Sequence, residues 1–153
     1  GGAATAVAVA ALVAVNVALP SPRPSTTVSL GMAMMAPADR TCTWPVQDRA
    51  SDVSIFLAPD STAAQRADLQ AALGADPLVR DLRFESREAA YARFKALWAD
   101  SPDFVASVSV DSLPAAFRVK LVEPSGYVEF AARFLDLPGV EQVVGAACPG
   151  PTR

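Results

Sequence analysis

Histidine is absent from the sequence, and with it go the commonest general base, the usual catalytic triads and most zinc ligand sets. Cysteine is nearly absent. Cys42 and Cys148 are the only two, which cannot build a four-cysteine metal site and stand too far apart for a CxxC redox motif. Charge is thin as well: 13 Lys and Arg against 16 Asp and Glu leave a formal net charge of -3. The basic residues are scattered singly, so no basic stripe can neutralise a row of phosphates, and nucleic acid is not an expected partner. No cofactor is expected. Asp100, Asp103 and Asp111 cluster in sequence, but no apolar pocket is evident to separate their pKa values, and they read as solvated loop charge. Ser86 sits where a strand gives way to a helix, with no base to activate it, and reads as a helix cap rather than a nucleophile. The chain is therefore expected to be non-enzymatic.

Apolar residues, by contrast, make up 52% of the 153 residues, enough for one compact domain with a core but not for two full-sized ones. Part of that fraction is concentrated in residues 1–19, which carry no charge and a single amide, Asn16. At a rise of about 1.5 Å per residue such a run just crosses roughly 30 Å of hydrocarbon. A membrane anchor is the expectation; the alternative is a secretory signal core, although no basic region precedes the run and no A-x-A site lies close after it. In both readings the chain beyond residue 19 is exported. Residues 20–51 contain Pro20, Pro22, Pro24, Pro37 and Pro45, whose missing backbone donors argue for a Pro-rich tether. Within it, residues 28–35 either pack on the domain or present Met32, Met34 and Met35 as an adaptable contact surface.

Globular patterning is expected over residues 52–148, with a tail over 149–153. Val53, Ile55 and Leu57 alternate with Ser54 and Phe56, a strand apolar on both faces and hence central. Thr62 with Gln65 is a capping-box pattern, opening a helix with Leu69, Ala72 and Leu73 on one face and Gly74 as its stop. A second strand runs from Leu78 to Glu85. Ser86 caps a helix from Arg87 to Ala99, and Ser101-Pro102 starts a short one. Phe117, Val119 and Leu121 alternate with Arg118 and Lys120 as a half-buried strand. Pro124-Ser125 introduces a helix carrying Tyr127, Phe130, Ala131, Phe134 and Leu135, and Val140 to Val144 is the last strand.

The string β-α-β-(αα)-β-α-β predicts an α+β fold of the ferredoxin-like, split β-α-β type: a four-stranded antiparallel sheet, two packed helices, and a helical insertion lobe over residues 86–113 between strands 2 and 3. In that topology the start of the first strand meets the end of the last. Cys42 and Cys148 then share one rim, and a disulfide between them is expected, against the alternative of two independent thiols.

The lobe is the most aromatic part of the chain. Tyr91, Phe94, Leu97 and Trp98 fall on one helical stripe, and Phe104, Val105 and Val108 come after it. Such a stripe serves equally as the lobe's own core or as a partner-binding patch, and two short helices make a thin lobe in which to bury all of it. Trp98 and Phe104 are the expected anchors of a patch.

Five segments, in order and at matching spacing, resemble the external domain of the cell-division protein family FtsX. They are Val53-Ser54-Ile55-Phe56-Leu57, Asp76-Pro77-Leu78-Val79, Glu85-Ser86-Arg87-Glu88-Ala89-Ala90-Tyr91-Ala92-Arg93-Phe94, Leu113-Pro114-Ala115-Ala116-Phe117-Arg118-Val119 and Leu137-Pro138-Gly139-Val140. The resemblance covers residues 52 to about 144. It implies a porter-like domain outside the membrane that recruits or activates a peptidoglycan hydrolase and is paired with the ATPase FtsE. Partner contact in that family is attributed to the insertion, which here corresponds to Tyr91, Phe94, Leu97, Trp98, Phe104, Val105 and Val108. Family members have four membrane spans, three of them after this domain; this sequence contains none of those three and is either a piece of a longer protein or a single-span relative, and a single-pass membrane placement with an indirect link to an FtsE-like ATPase is the expectation. From a different class, a small-molecule, lipid or peptide-binding sensor domain, using the groove between insertion and sheet, is the alternative.

Overall fold

The computed structural model describes residues 41–150. The expected anchor at 1–19, the apolar stretch 28–35 and residues 151–153 of the tail lie outside the described residues. The element order is β1 (Thr43–Val46), β2 (Asp52–Leu57), α1 (Ala63–Ala75), β3 (Val79–Glu85), α2 (Arg87–Leu97), α3 (Pro102–Ala106), β4 (Ala116–Leu121), α4 (Tyr127–Phe134) and β5 (Val140–Ala147). Short 3-10 turns at Val110–Ser112 and Pro124–Gly126 lead into β4 and α4.

Local chemistry accounts for most of these boundaries. Both bonds of the capping box form at α1: Gln65 N–H donates to Thr62 Oγ1 at 3.1 Å and Thr62 N–H to Gln65 Oε1 at 3.0 Å. Gly74 does not stop this helix, which runs on to Ala75. Asp76 ends it instead, held extended at ψ 124°, because a residue preceding proline is disfavoured in the helical region. Ser86 caps α2 through Ala89 N–H at 3.1 Å, as expected. Gly139 adopts φ 85° in the turn after α4, a left-handed conformation that glycine alone enters without steric cost.

The strands pair antiparallel in the order β1-β5-β2-β4-β3. The run β5-β2-β4-β3 is the ferredoxin-like order, with β2 central as its two apolar faces require. The sheet nevertheless has five strands rather than the four expected, because Thr43–Val46, at the end of the stretch assigned to the tether, pairs with β5. Pro45 argued against a strand there, but proline is tolerated at a sheet edge, and β1 is an edge strand. The disulfide pins it: Cys42 and Cys148 are bonded, with Cα atoms 4.2 Å apart. Cys148 N–H also donates to Ser51 Oγ at 2.9 Å, tying the end of β5 to the start of β2.

One face of the sheet carries the main core. Val53, Ile55 and Leu57 of β2 and Phe117, Val119 and Leu121 of β4 pack against Leu69 and Leu73 of α1 and Tyr127, Phe130 and Phe134 of α4. Each such side chain contributes about 1.5 to 3 kcal/mol when fully buried. Of the stripe expected on α4, Leu135 instead stays exposed.

Gly145 on β5 lies beneath this layer. A Cβ there would sit 2.7 Å from the Tyr127 ring and 2.9 Å from Ala50 Cβ. Burial raises the Tyr127 phenol pKa from 10.0, opposed by its hydrogen bond to the Gly145 backbone. Gly145→Ala is therefore expected to destabilise the fold by about 1 to 3 kcal/mol through overpacking, read as a lower urea midpoint with an unchanged m-value.

Candidate functional site

Two features stand out on the side of the sheet away from α1 and α4: the insertion lobe and a charged network beneath it. The lobe is built by α2, α3 and the 3-10 turn after them. Ala90, Phe94, Val108 and Leu113 are buried together, with Tyr91, Trp98 and Val105 packed around them half-buried. Pro102 opens α3 at its first helical position, where its missing N–H costs nothing.

The lobe divides the residues of the aromatic stripe. Phe94 is fully buried and Val108 nearly so, whereas Phe104 is 39% exposed. Tyr91, Leu97, Trp98 and Val105 are intermediate. Phe104 is a supported side chain, because its ring meets Phe94 edge-on at 5.3 Å and Trp98 edge-on at 5.0 Å. Trp98 Nε1 is buried without a hydrogen-bond partner, an open donor beside the exposed ring. Lys95 lies over the Tyr91 ring at 4.9 Å. An exposed ring held by two others loses little rotamer entropy on contact, which suits it to anchor an apolar partner.

Below the lobe the sheet turns polar. Register places Ser54 opposite Arg118 and Arg118 opposite Arg83. Arg118 donates to Ser54 Oγ at 2.6 Å and to Glu85 Oε1 at 2.7 Å, and its guanidinium also lies over the Phe56 ring. Arg93 reaches down from α2 to the same Glu85 oxygen at 3.0 Å. Burial raises the Glu85 carboxyl pKa, but the charges and hydrogen bonds of Arg118 and Arg93 outweigh it, so the group is held below its ordinary value of 4.5. The lobe is thus bolted to the sheet by an ion pair as well as by the chain.

The sequence pattern did not reveal this network. Arg118 and Lys120 read only as the polar side of a half-buried strand, and Arg93 is not singled out. The one available signal was that Ser54 interrupts an otherwise apolar central strand.

A model of the FtsX extracellular domain matches residues 51–146. No curated protein matches the sequence at a significant level. Among solved structures, extracellular domain 1 of FtsX from S. pneumoniae, crystallised in complex with undecyl-maltoside, is similar in fold. Its TM-score is 0.52 at 15% identity, and the match covers 66% of this chain and 97% of that one.

Proposed function

The chain belongs to the FtsX extracellular domain family, and from that premise we propose that its lobe recruits or activates a peptidoglycan hydrolase. The family places the domain on the outer side of a membrane in a cell-division context, and its domains are in general non-enzymatic partners of other proteins. In this reading the chain does no chemistry of its own. Residues 1–19 are the segment that would hold it at the membrane.

The observation that carries the reading is Phe104, an exposed aromatic ring braced by Phe94 and Trp98. Tyr91, Leu97, Trp98 and Val105 form the contact surface around it, while Phe94 and Val108 support that surface from below. An apolar helix of the hydrolase is the fitting partner: it covers the ring and offers its own apolar side chains to the half-buried rim.

Phe104→Ser is expected to weaken hydrolase binding by about 30-fold, the loss of roughly 2 kcal/mol typical of a central anchor. The circular dichroism spectrum and thermal midpoint should stay close to those of the parent, since Phe104 is not one of the buried residues of the lobe core. Titration calorimetry against a peptidoglycan hydrolase of the same organism that binds the parent chain checks this; full affinity with the serine in place would overturn the assignment of the lobe.

A further inference from the structure

The face of the sheet below the lobe is not sealed by a helical layer. It holds a groove of ≈ 370 Å³, walled by Trp44 of β1 on one side, Arg83 and Asp81 of β3 on the other, Arg118 and Lys120 of β4 in the floor and Arg93 of α2 above. That volume lies within the ordinary range for a small-ligand site.

Its charges are unbalanced. Arg93 and Arg118 converge on a single carboxylate, Glu85, and Arg83 stands opposite Arg118 on the neighbouring strand. Lys120 is paired with Asp52 at 2.7 Å. Arg83 forms no ion pair among the described residues. Arg93 Nε is buried with no hydrogen-bond partner. The Arg118 pKa is lowered from its ordinary value, first by burial and further by the positive charges of Arg93 and Arg83, with Glu85 opposing. Arg83, Arg93, Arg118 and Lys120 against Glu85, Asp52 and Asp81 leave one positive charge in excess in this recess of a chain whose net charge is -3. Guanidinium forks match planar carboxylates, so the exposed and unpaired Arg83, with the part-exposed Arg93 on the same groove, fits such a group.

The opposite wall sets the rest of the ligand. Trp44 is half-buried and packs on Phe56, Ala116 and Val144, so its indole is a fixed apolar surface. Trp44 and Arg83 stand on the two edge strands, four strand spacings apart, roughly 19 Å at the backbone. With two long side chains on the walls, the remaining gap is of the order of two sugar rings. Asp81, beside Arg83 on the same wall, accepts hydroxyl donors but repels a doubly charged phosphate.

We propose that this groove binds a disaccharide carrying one carboxylate, with the acid group between Arg83 and Arg93 and a pyranose face against Trp44. The site is separate from the lobe's aromatic surface and does not depend on the hydrolase assignment.

The test uses the full chain with Trp98→Phe, which leaves Trp44 as the sole tryptophan. Titration with N-acetylglucosaminyl-N-acetylmuramic acid should give a saturable change in its fluorescence. Chitobiose, the same frame without the carboxylate, should bind at least tenfold more weakly, and inorganic phosphate should not compete. Arg83→Gln in the same background should lose at least tenfold in affinity for the acidic disaccharide with an unchanged thermal midpoint, since Arg83 is exposed and unpaired. Absence of a saturable signal, equal binding of chitobiose, competition by phosphate, or full affinity of Arg83→Gln would each overturn the proposal. Hydrolase binding is measured on Arg83→Gln in the parent chain, with Trp98 and Phe104 both intact, and separates this outcome from failure of the lobe.

Discussion

Replacing Cys42 or Cys148 with serine is expected to lower the unfolding free energy by about 4 to 5 kcal/mol. The bond joins residues 106 apart in sequence, so in the chain-entropy model it restricts the unfolded chain over almost the whole described domain. In the folded state it fixes β1, a strand of four residues that carries a proline and has only β5 as a neighbour. Without the bond β1 has little to keep it in place, and β5 becomes an exposed edge open to pairing with another chain. Urea unfolding of the oxidised parent against each serine variant measures the loss, and increased association at high concentration would report the uncovered edge. A midpoint unchanged by either substitution would show that the β1–β5 pairing and the bond from Cys148 N–H to Ser51 Oγ hold the rim by themselves.

The Glu85→Gln exchange is expected to cost about 3 to 5 kcal/mol, although it removes only one charge. Glu85 has a side-chain exposure of 6% and is the single carboxylate between Arg93 and Arg118. Its removal leaves Arg118, itself only 17% exposed, beside Arg83 and Arg93 with no counter-charge. The same group makes stability depend on pH. The folded pKa lies below the unfolded value near 4.5, so its contribution is fully present above that value and is lost as pH falls through the folded pKa. Acid titration of the unfolding free energy should show this fall in the parent and a shallower one in Glu85→Gln. Equal acid slopes in the two proteins would remove Glu85 as the source. Because Arg93 belongs to α2, loss of Glu85 should also loosen the lobe from the sheet, seen as faster amide exchange in α2 than in α1.

Much of the fold is written in short-range pattern. The Thr62–Gln65 capping box, the Ser86 cap and the alternation from Phe117 to Leu121 each specify an element from a few neighbouring residues, and each formed as read. Gly74 failed as a stop because a glycine only permits a helix to end, whereas the Asp76-Pro77 pair forces it to. Thr43–Val46 was hidden for the opposite reason: its alternation is short and interrupted by Pro45, and pairing with β5, about a hundred residues away, is what makes it a strand.

The missing histidine, the two cysteines and the order of strands and helices belonged to the sequence by itself, since composition and periodicity are local quantities. They gave the fold class, the reading against catalysis and the shared rim of Cys42 and Cys148. Only the tertiary structure decided which aromatic residues of the lobe are core and which face outward, because a helical stripe looks the same whether its own lobe or a partner covers it. It alone brought Arg83, Arg93, Arg118 and Glu85 together, from two strands and a helix. The physical reason is register. Local pattern fixes which side of a strand a residue takes, but the charge opposite it is set by pairing between segments far apart in the chain.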